Sequence, residues 1–108
     1  MKEHYLVMKW DYEYDKESTW FNEDSGEKQY DLVEGAEYPL PHEERKKIEI
    51  RSVTTDGDCI KVEIYVDYAT YTVCSGGGPV VAHASNSYSV AGDSVHESWV
   101  LEFTVEKK

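Results

Sequence analysis

Four histidines, two cysteines, 22 acids and a run of glycines are the residues of this 108-residue chain that could do chemistry. His96 stands close to Asp93 and Glu97, a grouping that invites a metal ion. If the C-terminal strands pair around Gly92-Asp93, however, His83 falls opposite Glu102, six residues along the strand from His96. That is roughly 20 Å at about 3.4 Å per residue. Ligands of one zinc ion must converge within a few ångströms, so no metal set forms and the imidazoles are expected in solvent. Ser75-Gly76-Gly77-Gly78-Pro79 has the glycines of a phosphate loop without the Lys-Ser/Thr or the helix that should follow, and reads as a connector. Cys59 and Cys74 have no Cys-x-x-Cys spacing and no secretory leader before them, which predicts two reduced thiols that the strand registers hold apart. Asp56-Gly57-Asp58 is turn chemistry and lacks the spacing of a calcium loop. With 22 acids, a pair suited to glycoside chemistry can be drawn anywhere by chance. No residue is assigned as catalytic, cofactor-binding or metal-ligating, and the chain reads as a non-enzyme.

The signal that rises above this background is the distribution of charge. The net charge is −11, and residues 1–44 hold 13 acids and 4 bases while residues 45–108 hold 9 and 7. Between Asp11 and Glu37 ten acids face only Lys16 and Lys28, interleaved with Tyr12, Tyr14, Trp20, Phe21 and Tyr30. Acids at alternate positions of one strand, Asp11, Glu13 and Asp15, recur about every 6.8 Å. Successive phosphates of a nucleic-acid strand are roughly 6 to 7 Å apart. Such a chain repels phosphate backbones and anionic membranes and attracts a cationic partner. The residues expected to meet that partner are Asp11, Glu13, Asp15, Glu17, Trp20, Phe21, Glu23, Asp24, Glu27 and Tyr30. Aromatic rings anchor protein interfaces and an acidic rim steers a basic partner. Adjacent bulky rings at Trp20-Phe21 point to opposite faces of a strand, so one of them is left for solvent or a partner.

The elements that must position these residues are strands. No window repeats apolar residues at helical spacing, and Val outnumbers Leu three to one. At most one helical turn could form at Pro41–Arg45. Residues 6, 8, 10, 12 and 14 alternate cleanly with polar neighbours; a hairpin is expected around Asn22–Gly26, and Gly35–Pro41 is a connector. A three-residue loop Thr55–Gly57 would pair Ile50 with Val62 and Ile48 with Ile64. Asp67–Cys74 is either a tight hairpin or one bent strand. A type II′ turn at Gly92-Asp93 would set Val90 against Val95, Asn86 against Trp99 and Ala84 against Leu101.

Val, Leu, Ile and Phe supply only 22 of 108 residues, close to the range of disordered chains, but three Trp and nine Tyr restore a foldable core. The expected architecture is one all-β domain over residues 1–108, an antiparallel β-sandwich or partly open barrel of about seven to eight short strands with little or no helix. No apolar stretch is long enough for a membrane span and no signal peptide is visible, which predicts a cytoplasmic protein. The functional expectation is a small acidic inhibitor or antagonist, of the nucleic-acid-mimic, immunity or counter-defence type, docking on the basic surface of a nucleic-acid-binding protein. It would bind neither nucleic acid nor membrane directly, and it needs no cofactor. The competing expectation is a carbohydrate- or peptide-binding β-sandwich module using Tyr and Trp as platforms.

Overall fold

Alternation over long stretches, with almost no helix-forming periodicity, produces eight antiparallel strands. The computed structural model describes residues 3–16 and 20–108. The strands are β1 (His4–Lys16), β2 (Trp20–Asp31), β3 (Glu37–Leu40), β4 (Glu43–Asp56), β5 (Cys59–Val66), β6 (Ala69–Cys74), β7 (Val80–Val90) and β8 (Asp93–Lys107). They form two four-stranded sheets, ordered β2-β1-β8-β7 and β3-β4-β5-β6. The sheets pack face to face as an all-β sandwich, and no described residue lies in a helix, so no helix is long and apolar enough to cross a membrane. Strands of up to 15 residues make it elongated, 53 × 21 × 18 Å. Its radius of gyration is 15.4 Å, against about 13 Å for a rounder chain of this length.

The inner faces supply the core. Leu6, Met8 and Tyr12 of β1 meet Trp99, Leu101, Phe103 and Val105 of β8, and Ile48, Ile50, Ile60, Val62, Ile64, Val66 and Val73 close it from the other sheet. Ala84 lies opposite Trp99 and Ala82 opposite Leu101, small against large, which lets the layers interlock. On the outer face Val7 is also buried, between its cross-strand neighbours Gln29 and Thr104.

Five local expectations are corrected. Asn22–Gly26 is not a turn: β2 runs through it, each residue paired with one on β1. Gly26 is there for closeness, since a Cβ added to it would sit 2.7 Å from Trp10 Cζ2. Pro41–His42 is a two-residue turn between β3 and β4, with His42 at φ 70°, so no helical turn forms and the supposed connector contains β3. The β4–β5 turn is Gly57-Asp58, with Gly57 at φ 62° and Asp56 opposite Cys59. A two-residue turn alone would face the isoleucines the wrong way. A bulge at Arg51 restores the phase, giving Ile50 opposite Ile64 and Val53 opposite Val62. The β7–β8 turn is Ala91-Gly92, at φ 50° and 87°, which slides the register by two residues and leaves each side chain on its expected face.

The fifth correction concerns the cysteines. Cys59 and Cys74 come together on neighbouring strands with Cα atoms 5.9 Å apart, and they are disulfide-bonded. The segment after Val66 resolves as a tight hairpin, Val66 opposite Ala69, whose turn residues Asp67 and Tyr68 both take positive φ.

Candidate functional site

The outer face of the β2-β1-β8-β7 sheet gathers the acids that the first strand predicts. Register places Glu13 directly opposite Glu23, Asp11 opposite Ser25 and Lys9 opposite Glu27. On the other side of β1, Asp11 faces Val100 and Glu13 faces Ser98. Asp11, Glu13, Glu23, Asp24 and Ser25, with Tyr12 and Val100, line one open concavity of about 520 Å³. A second hollow of about 420 Å³ continues along the sheet past Asp11, Ser25 and Glu27 to Glu102. Asp11, Glu13, Asp15, Glu23, Asp24 and Glu27 are all exposed. None of Asp11, Glu13, Asp15, Glu23 and Glu27 has an ion pair among the described residues.

The rings do not join them. Residues that alternate in a strand occupy opposite faces, so Trp10, Tyr12 and Tyr14 turn inward while Asp11 and Glu13 turn outward. Tyr30 also leaves the proposed surface: it packs against the core and stacks on Tyr38 with ring centres 4.4 Å apart. Burial raises its phenol pKa, and its hydroxyl has no partner among the described residues. Glu17 and the side chains of Trp20 and Phe21 lie outside the described residues; the backbones of Trp20 and Phe21 pair with Lys16 and Asp15. His83 lies opposite Val100 rather than the expected Glu102, which puts it four residues or about 14 Å along the strand from His96 instead of six. No group of three potential metal ligands forms among the described residues.

Behind the acidic concavity lies a polar clasp between the sheets. Glu97 is buried, 4% exposed, between its cross-strand neighbours Tyr14 and Asn86. It accepts a hydrogen bond from the Tyr12 hydroxyl and another, at 3.1 Å, from Asn86 Nδ2. The same amide nitrogen donates to Glu43 at 3.3 Å, and Arg45 grips Glu43 through Nε at 3.0 Å and a second nitrogen at 3.1 Å. That fork holds the Glu43 carboxyl below its ordinary pKa. Burial, the bond to Glu97 and the negative charge of Glu97 together push the Tyr12 phenol well above its ordinary pKa. Burial, with Glu97 and Tyr14 nearby, likewise raises Tyr88.

Because Glu43 and Arg45 begin β4, the clasp fixes the Pro41–His42 turn against the other sheet, and Trp99 Nε1 donates to the Pro41 carbonyl at 2.9 Å. His42 is thereby laid flat on Tyr12, ring centres 4.3 Å apart, with its Nε2 2.7 Å from Asp24 Oδ2. A buried carboxylate thus positions, through a tyrosine and a histidine, the Asp24 carboxylate, which lies opposite Tyr12 and so on the inward side of the edge strand β2, while Asp11, Glu13 and Glu23 turn outward. Sequence reasoning weighed Glu97 only as a neighbour of His96 in a metal set, although a second signal was present. It is a lone acid in the inward series Val95, Glu97, Trp99, Leu101, and an acid in such a place must be hydrogen-bonded.

A scan against protein-family models and searches of curated proteins and solved structures found no match to this chain.

Proposed function

We propose that this protein is a small acidic interaction module, an inhibitor or antagonist without catalytic activity of its own, whose outer β1–β2 face docks on the basic, nucleic-acid-binding surface of another protein. The observation that carries the reading is the direct cross-strand opposition of Glu13 and Glu23 within the concavity lined by Asp11 and Asp24. Like charges directly opposite in a sheet destabilise it. A partner that brings Lys or Arg into the hollow relieves that repulsion and gains long-range steering from the −11 charge. With Trp10, Tyr12, Tyr14 and Tyr30 packed on the core, none of these four rings anchors the contact, which rests on the charges of Asp11, Glu13 and Glu23.

The sequence alone favoured a cytoplasmic setting. The Cys59–Cys74 bond instead favours an oxidising compartment, and the acidic face serves in either. The test is capture of host proteins on the immobilised chain, alongside D11K/E13K/E23K. The expected partner is a basic nucleic-acid-binding protein retained by the native chain, lost by the variant, released by salt and displaced by nucleic acid. A partner held equally by both chains, or held independently of salt, refutes the proposal.

A further inference from the structure

Residues 68–92 contain no Asp, Glu, Lys or Arg, in a chain whose residues are 31% charged. The fold gathers this run onto one flank, where β6 is the edge of one sheet and β7 the edge of the other. The opposite flank is built differently. Its edges are β2, carrying Glu23, Asp24, Glu27, Lys28 and Asp31, and β3, which is four residues long, contains Pro39 and shifts register beside it. Charges, proline, short length and irregularity are the devices that keep an exposed edge from pairing with another sheet. β7 has none of them over eleven residues in unbroken register with β8.

The two-residue turn makes Val90 and Asp93 a hydrogen-bonded pair, so the odd-numbered residues of β7 turn their N–H and C=O groups away from β8. Ser85 shows that phase, because its N–H donates at 3.1 Å to Asp67 Oδ2. Asp67 occupies the β5–β6 turn at φ 49°, and its other oxygen takes Lys46 Nζ at 2.8 Å. The acid that ends the charge-free run is therefore held by a lysine against the middle of the open edge.

We propose that β7 is a strand-pairing edge for a second copy of this chain, antiparallel about a two-fold axis at Ser85, and that the Asp67–Lys46 pair is the latch that keeps it closed. A second copy is the occupant for two reasons. Molecules each carrying −11 repel wherever their acids meet, and the edge strands β6 and β7 carry none of their own, leaving Asp67 as the acid at this flank's centre. An antiparallel strand is also its own complement under a two-fold axis. Pairing about Ser85 sets Ser87 against His83 and Ser89 against Val81, with no like charges opposed. With the latch in place, two Asp67 carboxylates meet at the axis and the central amides are occupied.

The experiment is sedimentation of the full-length chain up to about 200 µM, comparing the native protein with D67A, K46A and D67A/H83K. The native chain is expected to be monomeric. D67A dimerises with an apparent Kd at least tenfold lower, tighter at high salt because the repelling charges are screened. K46A shifts in the same direction, and D67A/H83K, with a lysine back on the edge, returns to monomer. Hydrogen exchange of the His83, Ser85 and Ser87 amides slows as D67A is concentrated. A folded D67A that stays monomeric overturns the proposal, as does a dimer that H83K leaves intact. If D67A does not fold, a K46A chain that stays monomeric has the same force. The salt dependence is opposite to that expected for the acidic face, so the two readings fail separately.

Discussion

Replacing Tyr12 with Phe removes a single oxygen and tests the clasp. The ring keeps its place against Trp99, at 5.3 Å, and against His42. What disappears is one of the two hydrogen bonds to a carboxylate that is 4% exposed. A hydrogen bond to a charged group contributes about 1.5–3 kcal/mol, and a buried acceptor left short of a donor is at the upper end. For a domain of this size, that corresponds to a Tm lower by roughly 6–15 °C. Urea unfolding followed by tryptophan fluorescence, to which Trp99 beside Tyr12 contributes, measures it. The variant also has a signature in pH. The Tyr12 phenol is raised above its ordinary 10.0 in the folded state, so the folded chain keeps a proton that the unfolded chain releases. The associated stability is fully present below pH 10 and is lost as the pH climbs beyond it. Y12F should flatten that alkaline decline. In a double-mutant cycle, Y12F made in the E97A chain should cost almost nothing, since the hydroxyl's partner is already gone. A Y12F chain within about 0.5 kcal/mol of the parent, with the same alkaline slope, would refute the claim that this bond anchors the buried Glu97 at the root of the clasp.

Three further outcomes test the local structure. Gly26→Ala should cost about 1–3 kcal/mol in thermal unfolding, because its methyl would lie 2.7 Å from a ring carbon of Trp10 and the ring must move. Ala91→Asn should raise stability by about 0.5–1 kcal/mol in urea, since Ala91 sits at φ 50° and Asn-Gly is the favoured pair for such a turn. Replacing Cys59 and Cys74 by Ser removes a cross-link between residues 15 apart, and should lower stability by about 3 kcal/mol under non-reducing conditions. Under reducing conditions the parent should fall to the level of the double variant.

The sandwich was legible wherever one face of a strand is core and the other is wet. Leu6, Met8, Trp10, Tyr12 and Tyr14 could be placed on one side from their spacing alone, and so could Trp99, Leu101, Phe103 and Val105. Register was harder, because it depends on which residues accept positive φ. Ala91 and the Asp67-Tyr68 pair do so without being the glycine or asparagine that announces a turn. Gly26 misled in the opposite sense: it looked like turn chemistry and serves a tryptophan. The acids of the candidate face were visible as a pattern, but interleaved aromatics suggested a shared surface, whereas alternation parts them by the thickness of the sheet. The clasp joins β1, β4, β7 and β8, so only the long-range pairing of strands brings Tyr12, Glu43, Asn86 and Glu97 together. The cysteine pairing was hidden for the same reason.

The bulge at Arg51 makes β4 unlike its neighbours in how it would respond to a change of length. Before it the inward residues are Ile48 and Ile50, after it Val53. Excising Arg51 would merge these two phases into one regular ladder without turning any core residue outward, at the cost of the guanidinium that lies 3.8 Å over the Tyr65 ring. A one-residue loss within β1 or β8 would instead invert every side chain beyond it. β4 therefore carries a spare link at Arg51, where the evolutionary loss of one residue can be absorbed.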